Sequence, residues 1–352
     1  MVTSLNIGKI FGIRLRIHIT FFLLLLLVFF TGLQENGIKT AFIATGFICS
    51  IFACVVIHEV GHSLIARRFG KETKSITLLP IGGVAALEEV PEKPLQEIAM
   101  AIIGPMINLV IAGLLYSAFG WWSGAGVPEL YPNSAGSFVA GLIAVNIILA
   151  IFNLTPAFPM DGGRVFRGIL ALKMDFIKAT RIAVLVGQIF AVIFIVLGFY
   201  FQLWIIMIIG IFLFLGAGAE KKQVIIKSIL HKVTAGEAMN TQMQAVNAAD
   251  SVSTAMQHFR NGYRLDFPVL DGAKVVGILR LDSVLSIIRY KKPIVIAGEL
   301  IDKDFPTVTS STPLDVVYKQ LVFRKQRSVA VIDGGVLRGF VSLEGINRYF
   351  SK

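Results

Sequence analysis

Apolar residues run along roughly the first 220 positions in blocks too long for a soluble core. A helix needs roughly 20 such residues to cross about 30 Å of hydrocarbon. Six segments qualify, at about 17–33, 42–66, 97–119, 136–153, 181–198 and 202–219. Polar positions between them are unevenly charged. Lys9, Arg14 and Arg16 precede the first segment, and Arg67, Arg68, Lys71 and Lys74 follow the second. Arg164, Arg167, Lys173, Lys178 and Arg181 lie between the fourth and fifth, and Lys221, Lys222 and Lys227 follow the sixth. The loops at 120–135 and 199–201 have no Lys or Arg, and 34–40 has only Lys39. Cationic loops stay on the cytoplasmic side, so both termini are expected there. Behind the second segment, SITLLPIGGVAALEE at 75–89 is too short to cross and is interrupted by Pro80, Gly82 and Gly83. Irregular backbone at membrane depth has to be buried in protein or line a watery cavity. A re-entrant β strand or hairpin with an edge free for pairing is expected; an ordinary amphipathic surface loop is the alternative.

The pattern changes after residue 222, where a soluble region with an internal repeat begins. VTAGEAM at 233–239 aligns with VIAGELI at 295–301, FPVLDG at 267–272 with VAVIDG at 329–334, and Gly277 with Gly339. The offset stays at 62 (295−233, 329−267, 339−277). Each copy reads as a short strand, a helix, two strands and a helix, and neither buries a core alone. The expected domains are a membrane part at 1–222, a linker at 223–232, and α/β repeats at 233–290 and 291–352.

Composition agrees: 55% hydrophobic and only 16% charged residues, against the ~25% charged of a soluble domain. The net charge of +11 raises the question of nucleic acid. The cations flank apolar segments as they do beside anionic lipid, and no basic stretch is interleaved with aromatics, so no nucleic-acid partner is expected. The two cysteines, Cys49 and Cys54, share one apolar segment and read as packing residues, with no disulfide framework. No small-residue cleavage site follows the first apolar run, which reads as an uncleaved span.

The chemistry starts where the second segment meets His58-Glu59-Val60-Gly61-His62. On a helix this spacing puts both imidazoles on one face, about 6 Å apart. They suit two ligands of a tetrahedral zinc, with Glu59 beside them to take a proton from water. Ionisable groups inside a membrane need partners or a function; interhelical hydrogen bonding is the structural alternative. A catalytic zinc wants a third protein ligand and an open position. NLTPAFPMDGGR at 153–164 offers Asp161 where the fourth segment breaks down around Pro156 and Pro159. The second and fourth segments both run from outside to inside. His62 then lies about 7–8 Å and His58 about 14 Å from Arg67, in the same cytoplasmic half as Asp161. His18, near Arg14 and Arg16, reads as an interfacial side chain, Asn108 and Asn146 as interhelical hydrogen bonders, and His231 and His258 have no assigned role.

These residues, with Asn153…Asp161-Gly162, the amino-terminal GKIFGIRLRIHIT, LLPIGGVA, GPMIN at 104–108 and the tandem module behind, resemble the site-2 protease family of intramembrane metalloproteases. The similarity is to the prokaryotic branch with cystathionine-β-synthase-type (CBS) repeats and extends over nearly the whole chain. It implies one Zn2+ per chain on His58, His62 and Asp161, with Glu59 as general base and later proton donor. It also implies that Asn153 holds substrate or the tetrahedral intermediate, an interhelical hydrogen bond being the alternative. The partner is then a transmembrane protein substrate within membrane lipid, cleaved in regulated intramembrane proteolysis. The location is the cell membrane, multi-pass, with the CBS pair cytoplasmic.

CBS pairs of this kind take adenine nucleotides between their copies, at a Thr and a ribose-binding Asp three and six residues after the motif glycine. This sequence has Arg280 and Ser283 in the first copy and Ser342 and Gly345 in the second; Asp282 and Glu344 fall one position early. A nucleotide site, a homodimer contact and a docking surface for a partner all stay open. The rivals to the protease are a CBS-gated transporter or channel, which predicts charges spread along a path, and an inactive scaffold, which has no use for Glu59.

Overall fold

The computed structural model describes residues 4–80, 82–87, 93–123, 135–241, 245–251, 254, 266–272, 274–280, 283–285, 296–323 and 327–350. His258, Asp282, most of the 120–135 loop and residues 81, 88 and 89 of the expected re-entrant segment lie outside them. The chain divides into two compact units, Met1–Gln223 and Val224–Lys352.

In the first unit, α1 (Ile19–Glu35) and α2 (Gly37–Arg68) form a hairpin. The turn is at Gly37, whose φ of 81° lies where a side chain would be strained. Edge-to-face ring pairs zip the hairpin together, Phe21 with Phe52 at 4.5 Å and Phe29 with Phe42 at 5.3 Å between centroids. Then follow α3 (Pro94–Ser123), α4 (Ala135–Asn153), the short α5 (Asp161–Ala171), α6 (Phe176–Tyr200) and α7 (Trp204–Lys232). Among the described residues, four helices are long and apolar enough to cross a membrane: α2, α3 over Pro94–Phe119, α6 and α7, with 32, 26, 25 and 29 residues. At 1.5 Å per residue even the shortest reaches about 38 Å. The other two expected spans are the shorter apolar helices Ile19–Glu35 and Ser137–Asn153. Outer faces stay apolar, with Leu114, Ile151, Leu185, Phe199 and Leu215 all more than half exposed. Helices that are apolar all round belong among lipid tails.

A four-stranded sheet lies against the α1–α2 hairpin. Its order is β1 (Ser4–Ile10), β2 (Ile13–His18), β3 (Thr73–Leu79), β4 (Gly82–Leu87), with β2 and β3 parallel and the other pairs antiparallel. The expected re-entrant segment is thus a hairpin within a larger sheet. The two amino-terminal strands were expected only as a basic flank, yet Ile13-Arg14-Leu15-Arg16-Ile17-His18 alternates with the period of two that makes a strand. His18 caps α1, its Nδ1 accepting from the Thr20 N–H at 3.4 Å. Ile13, Ile76 and Leu78 from the sheet and Phe21, Phe52, Val56 and Val60 from the hairpin form one buried cluster. Among the described residues, the outer edge of β4 has no partner strand.

The second unit repeats itself in register. Hairpins β6–β7 (Asp266–Asp271, Lys274–Arg280) and β10–β11 (Ser328–Asp333, Val336–Ser342) match pair for pair at an offset of 62 (328−266). Even the bulge recurs, between Val269 and Leu270 and between Val331 and Ile332. Short parallel strands β5 (Val246–Asn247) and β9 (Thr307–Val308) flank them, with Val246 on Val269 and Val308 on Val331. The copies complete each other. Asn240 bridges to Phe340 of the second hairpin, and Asp302 of β8 (Ile301–Asp302) pairs with Ile278 of the first.

Their openings differ for a chemical reason. In copy one, Glu237 accepts from the Thr234 N–H at 3.3 Å and its hydroxyl at 2.8 Å, starting α8 (Ala235–Ala238). These donors hold the Glu237 carboxyl below its usual range. Ile296 replaces the threonine in copy two, and only a 3₁₀ turn, Ala297–Glu299, forms. The second copy ends with α9 (Leu314–Phe323) and α10 (Leu343–Phe350), packed through Leu314, Val317, Leu321 and Ile346.

Candidate metal centre

The faces of α2 divide the labour. Val56 and Val60 face the sheet, and His58 and His62, two residues or about 200° further round, meet α3. His58 Nδ1 lies 3.0 Å from Asn108 Oδ1, and His62 Nδ1 lies 2.5 Å from the carbonyl of Met100. A carbonyl only accepts, so His62 carries its hydrogen on Nδ1. Asn108 turns its amide oxygen to His58 Nδ1, and an amide oxygen also only accepts, so His58 carries its hydrogen there too. Both Nε2 lone pairs are left pointing inward, the role second partners play for metal-binding histidines. Asn108 thus does more than the interhelical bonding expected of it, while Asn146 bonds Cys54 Sγ across to α2 at 3.4 Å.

Asp161 arrives from the break between α4 and α5. The chain leaves α4 at Asn153, passes Phe158 and Pro159, joined by a cis peptide bond, and restarts as α5 with Asp161 as its first residue. The glycines behind it are required by packing. A Cβ on Gly162 would overlap the backbone of Leu154 and Thr155, and one on Gly163 would come within 2.7 Å of the Phe158 nitrogen. Asp161 Oδ2 then stands 3.2 Å from His58 Nε2 and 3.3 Å from His62 Nε2, and the two Nε2 atoms are 3.0 Å apart.

With neutral imidazoles, this is a triangle of three acceptors with no hydrogen among them, mostly buried. A proton on one imidazole relieves it in part, and a metal ion answers all three acceptors at once. Three ligands of a tetrahedral ion at about 2.0–2.1 Å sit about 3.3 Å from each other, close to the triangle's sides. The donor set, two imidazoles and one carboxylate, is one that zinc takes. Gly104 of α3 leaves the room: a Cβ there would overlap both Nε2 atoms.

Glu59, next to the triangle, also meets the sheet. A Cβ on Gly83 of β4 would lie 2.7 Å from Glu59 Cγ, so strand and carboxylate touch only because position 83 is bare. Asn153 is half-buried at the end of α4 and, among the described residues, makes no hydrogen bond to the triangle. Sequence reasoning missed Met100, Gly104 and Asn108 as a unit. Their spacing of four along α3 was a signal, as was the glycine in GPMIN. Arg167, counted among the loop cations, is fully buried.

Gly104→Ala is expected to force the imidazoles apart and weaken zinc binding about 10-fold or more, with the helices intact. Zinc content after chelator competition, beside circular dichroism, measures both.

Known proteins resemble both parts of this chain. Residues 46–138 and 129–197 match peptidase family M50, and 235–290 and 297–352 each match the CBS domain. A zinc metalloprotease of Methanocaldococcus jannaschii is 31% identical over 353 residues, covering 99% of this chain and 96% of its own. Stage IV sporulation protein FB of Bacillus subtilis is 31% identical over 129 residues, 36% of this chain and 41% of its own. The solved site-2 protease from Methanocaldococcus jannaschii shares 33% identity and covers 62% of this chain and 95% of its own, with a TM-score of 0.47. By its full-length similarity the chain belongs to peptidase family M50, the site-2 zinc metalloproteases, with a CBS pair behind the catalytic part.

Proposed function

We propose that this metalloprotease hydrolyses a peptide bond in or near a transmembrane segment of a membrane protein, with zinc held by His58, His62 and Asp161. The observation that carries this reading is the acceptor triangle, two of whose corners lie on a helix, Gly37–Arg68, long and apolar enough to cross the membrane. Zinc bound there supplies a Lewis acid and lowers the pKa of water to about 7. Glu59 takes the proton from the attacking water and returns it to the leaving amine. Met100 and Asn108 keep the imidazole nitrogens turned inward throughout. Asn153, where α4 gives way to the loop that delivers Asp161, is the candidate for holding the substrate carbonyl once substrate is present.

A transmembrane substrate has its backbone hydrogen bonds already made, so it must unwind before any carbonyl is accessible. The free edge of β4 supports a route. An extended peptide added there as a fifth strand regains backbone partners and runs past Gly83, whose face carries Glu59. In this reading the protein has six spans, both short helices included, in the cell membrane. The cationic loops favour the cytoplasm for both termini and the CBS pair. The catalytic part takes residues 1–222, a linker 223–232 and the repeats 233–290 and 291–352.

The CBS pair is the candidate regulatory part. CBS domains commonly bind adenine nucleotides, but two observations weigh against one here, which leaves homodimerisation or partner docking as the reading. Arg280, where the nucleotide motif has Thr, is ion-paired with Asp302 at 2.6 Å. The hydroxyl of Ser342 accepts the Gly345 N–H at 3.1 Å, opening α10. Titration of the full chain with AMP and ATP is expected to give no saturable heat, with sedimentation showing a dimer; saturable nucleotide binding reverses this reading.

The principal test is cleavage of tagged single-span substrates by purified protein. Glu59→Gln is expected to keep its zinc and lose activity about 10²–10⁴-fold. If the wild type binds no zinc, the reading fails, and a transporter or an inactive scaffold takes its place. Gly83→Ala presses on Glu59 from the strand and is expected to lower kcat about 100-fold, zinc content unchanged. Loss of zinc in that variant would show that β4 supports the metal rather than the base and the substrate.

A further inference from the structure

Six residues beyond Asp161 on the same short helix, Arg167 is the largest fully buried side chain among the described residues. Its guanidinium lies between two rings, 4.9 Å from the centroid of Phe158 and 4.8 Å from that of Phe176. Its Nε donates to Glu97 Oε1 at 2.9 Å, and one terminal nitrogen donates to the same oxygen. The other terminal nitrogen donates to Glu220 Oε1 at 3.0 Å. Arg164 stands 4.0 Å from Glu220 Oε2, so two cations face two carboxylates. Glu97 Oε2 has no hydrogen-bond partner among the described residues, which leaves Arg167 as the group that holds Glu97.

Buried charge of this kind is a poor source of stability. Well-packed apolar residues commonly do as well or better, because each ion gives up its hydration. What distinguishes this cluster is what it joins. Glu97 lies on the first turn of α3, three residues before Met100, seven before Gly104 and eleven before Asn108. Those three set the imidazoles. Arg167 belongs to α5, which begins with Asp161, and its aromatic neighbour Phe158 is in the turn that delivers Asp161. The helices are already close here: a Cβ on Gly168 would lie 2.6 Å from Ile98 Cγ1. The carboxylate ligand and the imidazole supports thus come from different segments, and the Arg167–Glu97 clamp connects them. Glu220 adds a third anchor from α7.

We propose that Arg167 is a positioning residue of the zinc site: clamped to Glu97 and Glu220, it fixes α5 against the start of α3 and so sets the distance from Asp161 Oδ2 to the two Nε2 atoms. This rests on the zinc reading above. A fork with two rigid faces is needed; Lys would bring the charge without the geometry.

The test uses the full chain in detergent, loaded with cobalt(II) as a spectroscopic reporter of ligand geometry, with zinc affinity from chelator competition. Arg167→Lys is expected to shift and weaken the visible cobalt bands and to lower zinc affinity about 10–100-fold, the range for partners behind metal ligands. Glu220→Gln leaves Arg167 on Glu97, is expected to fold, and should change both readouts in the same direction by less. Wild type and His62→Ala mark the ends of the scale, which separates failure of the metal site itself from failure of positioning. Wild-type bands and affinity in folded Arg167→Lys, or in Glu220→Gln where the lysine variant does not fold, overturn the proposal and reduce Arg167 to packing.

Discussion

The constraint on which this catalytic unit depends is the lack of water around its polar groups. In hydrocarbon a donor or acceptor without a partner costs several kcal/mol, so each polar side chain on the helices has to be answered by another part of the protein. The pairs are specific: His58 with Asn108, His62 with the Met100 carbonyl, Asn146 with Cys54, Arg167 with Glu97 and Glu220. Each also decides how two helices meet. In the acceptor triangle three described polar groups converge without a hydrogen between them, a set that could hold a metal ion.

That His58, His62 and Asp161 come together was legible because their signals are local. The i, i+4 spacing of His58 and His62 puts them on one face by helix geometry alone, and the charge rule put Asp161 in the same half of the membrane. What lay behind them was not legible. Asn108 looked like any intramembrane amide, since its pairing with His58 depends on the crossing register of α2 and α3, which no single segment encodes. Arg167 looked like a cytoplasmic charge because burial is a property of the neighbours, here Phe158, Phe176 and Glu97. The amino-terminal strands were legible in principle: their alternation was present, but the cations drew attention to topology instead.

The repeat shows a different limit. Its offset of 62 was readable from matching residues, and it holds down to a shared bulge and the exchange of bridging residues between copies. The copies part where one residue type changes. Thr234 against Ile296 gives a capped helix in one case and a 3₁₀ turn in the other. The departures at Arg280 and Ser342 are likewise structural in their use, one an ion pair and the other a helix cap.

Met100, Gly104 and Asn108 form a stripe that contains no acid, base or metal ligand, yet the two histidines take their direction and their space from it. This has a consequence for protein engineering. Grafting the His-Glu-x-x-His helix and the Asp-Gly-Gly turn onto another bundle would transfer the ligands but not their supports. The smallest portable unit is three helices, and its least conspicuous member is a strip of nearly featureless backbone. A relative with a bulky residue at the position of Gly104 would keep the signature of a protease while its architecture no longer admitted the ion.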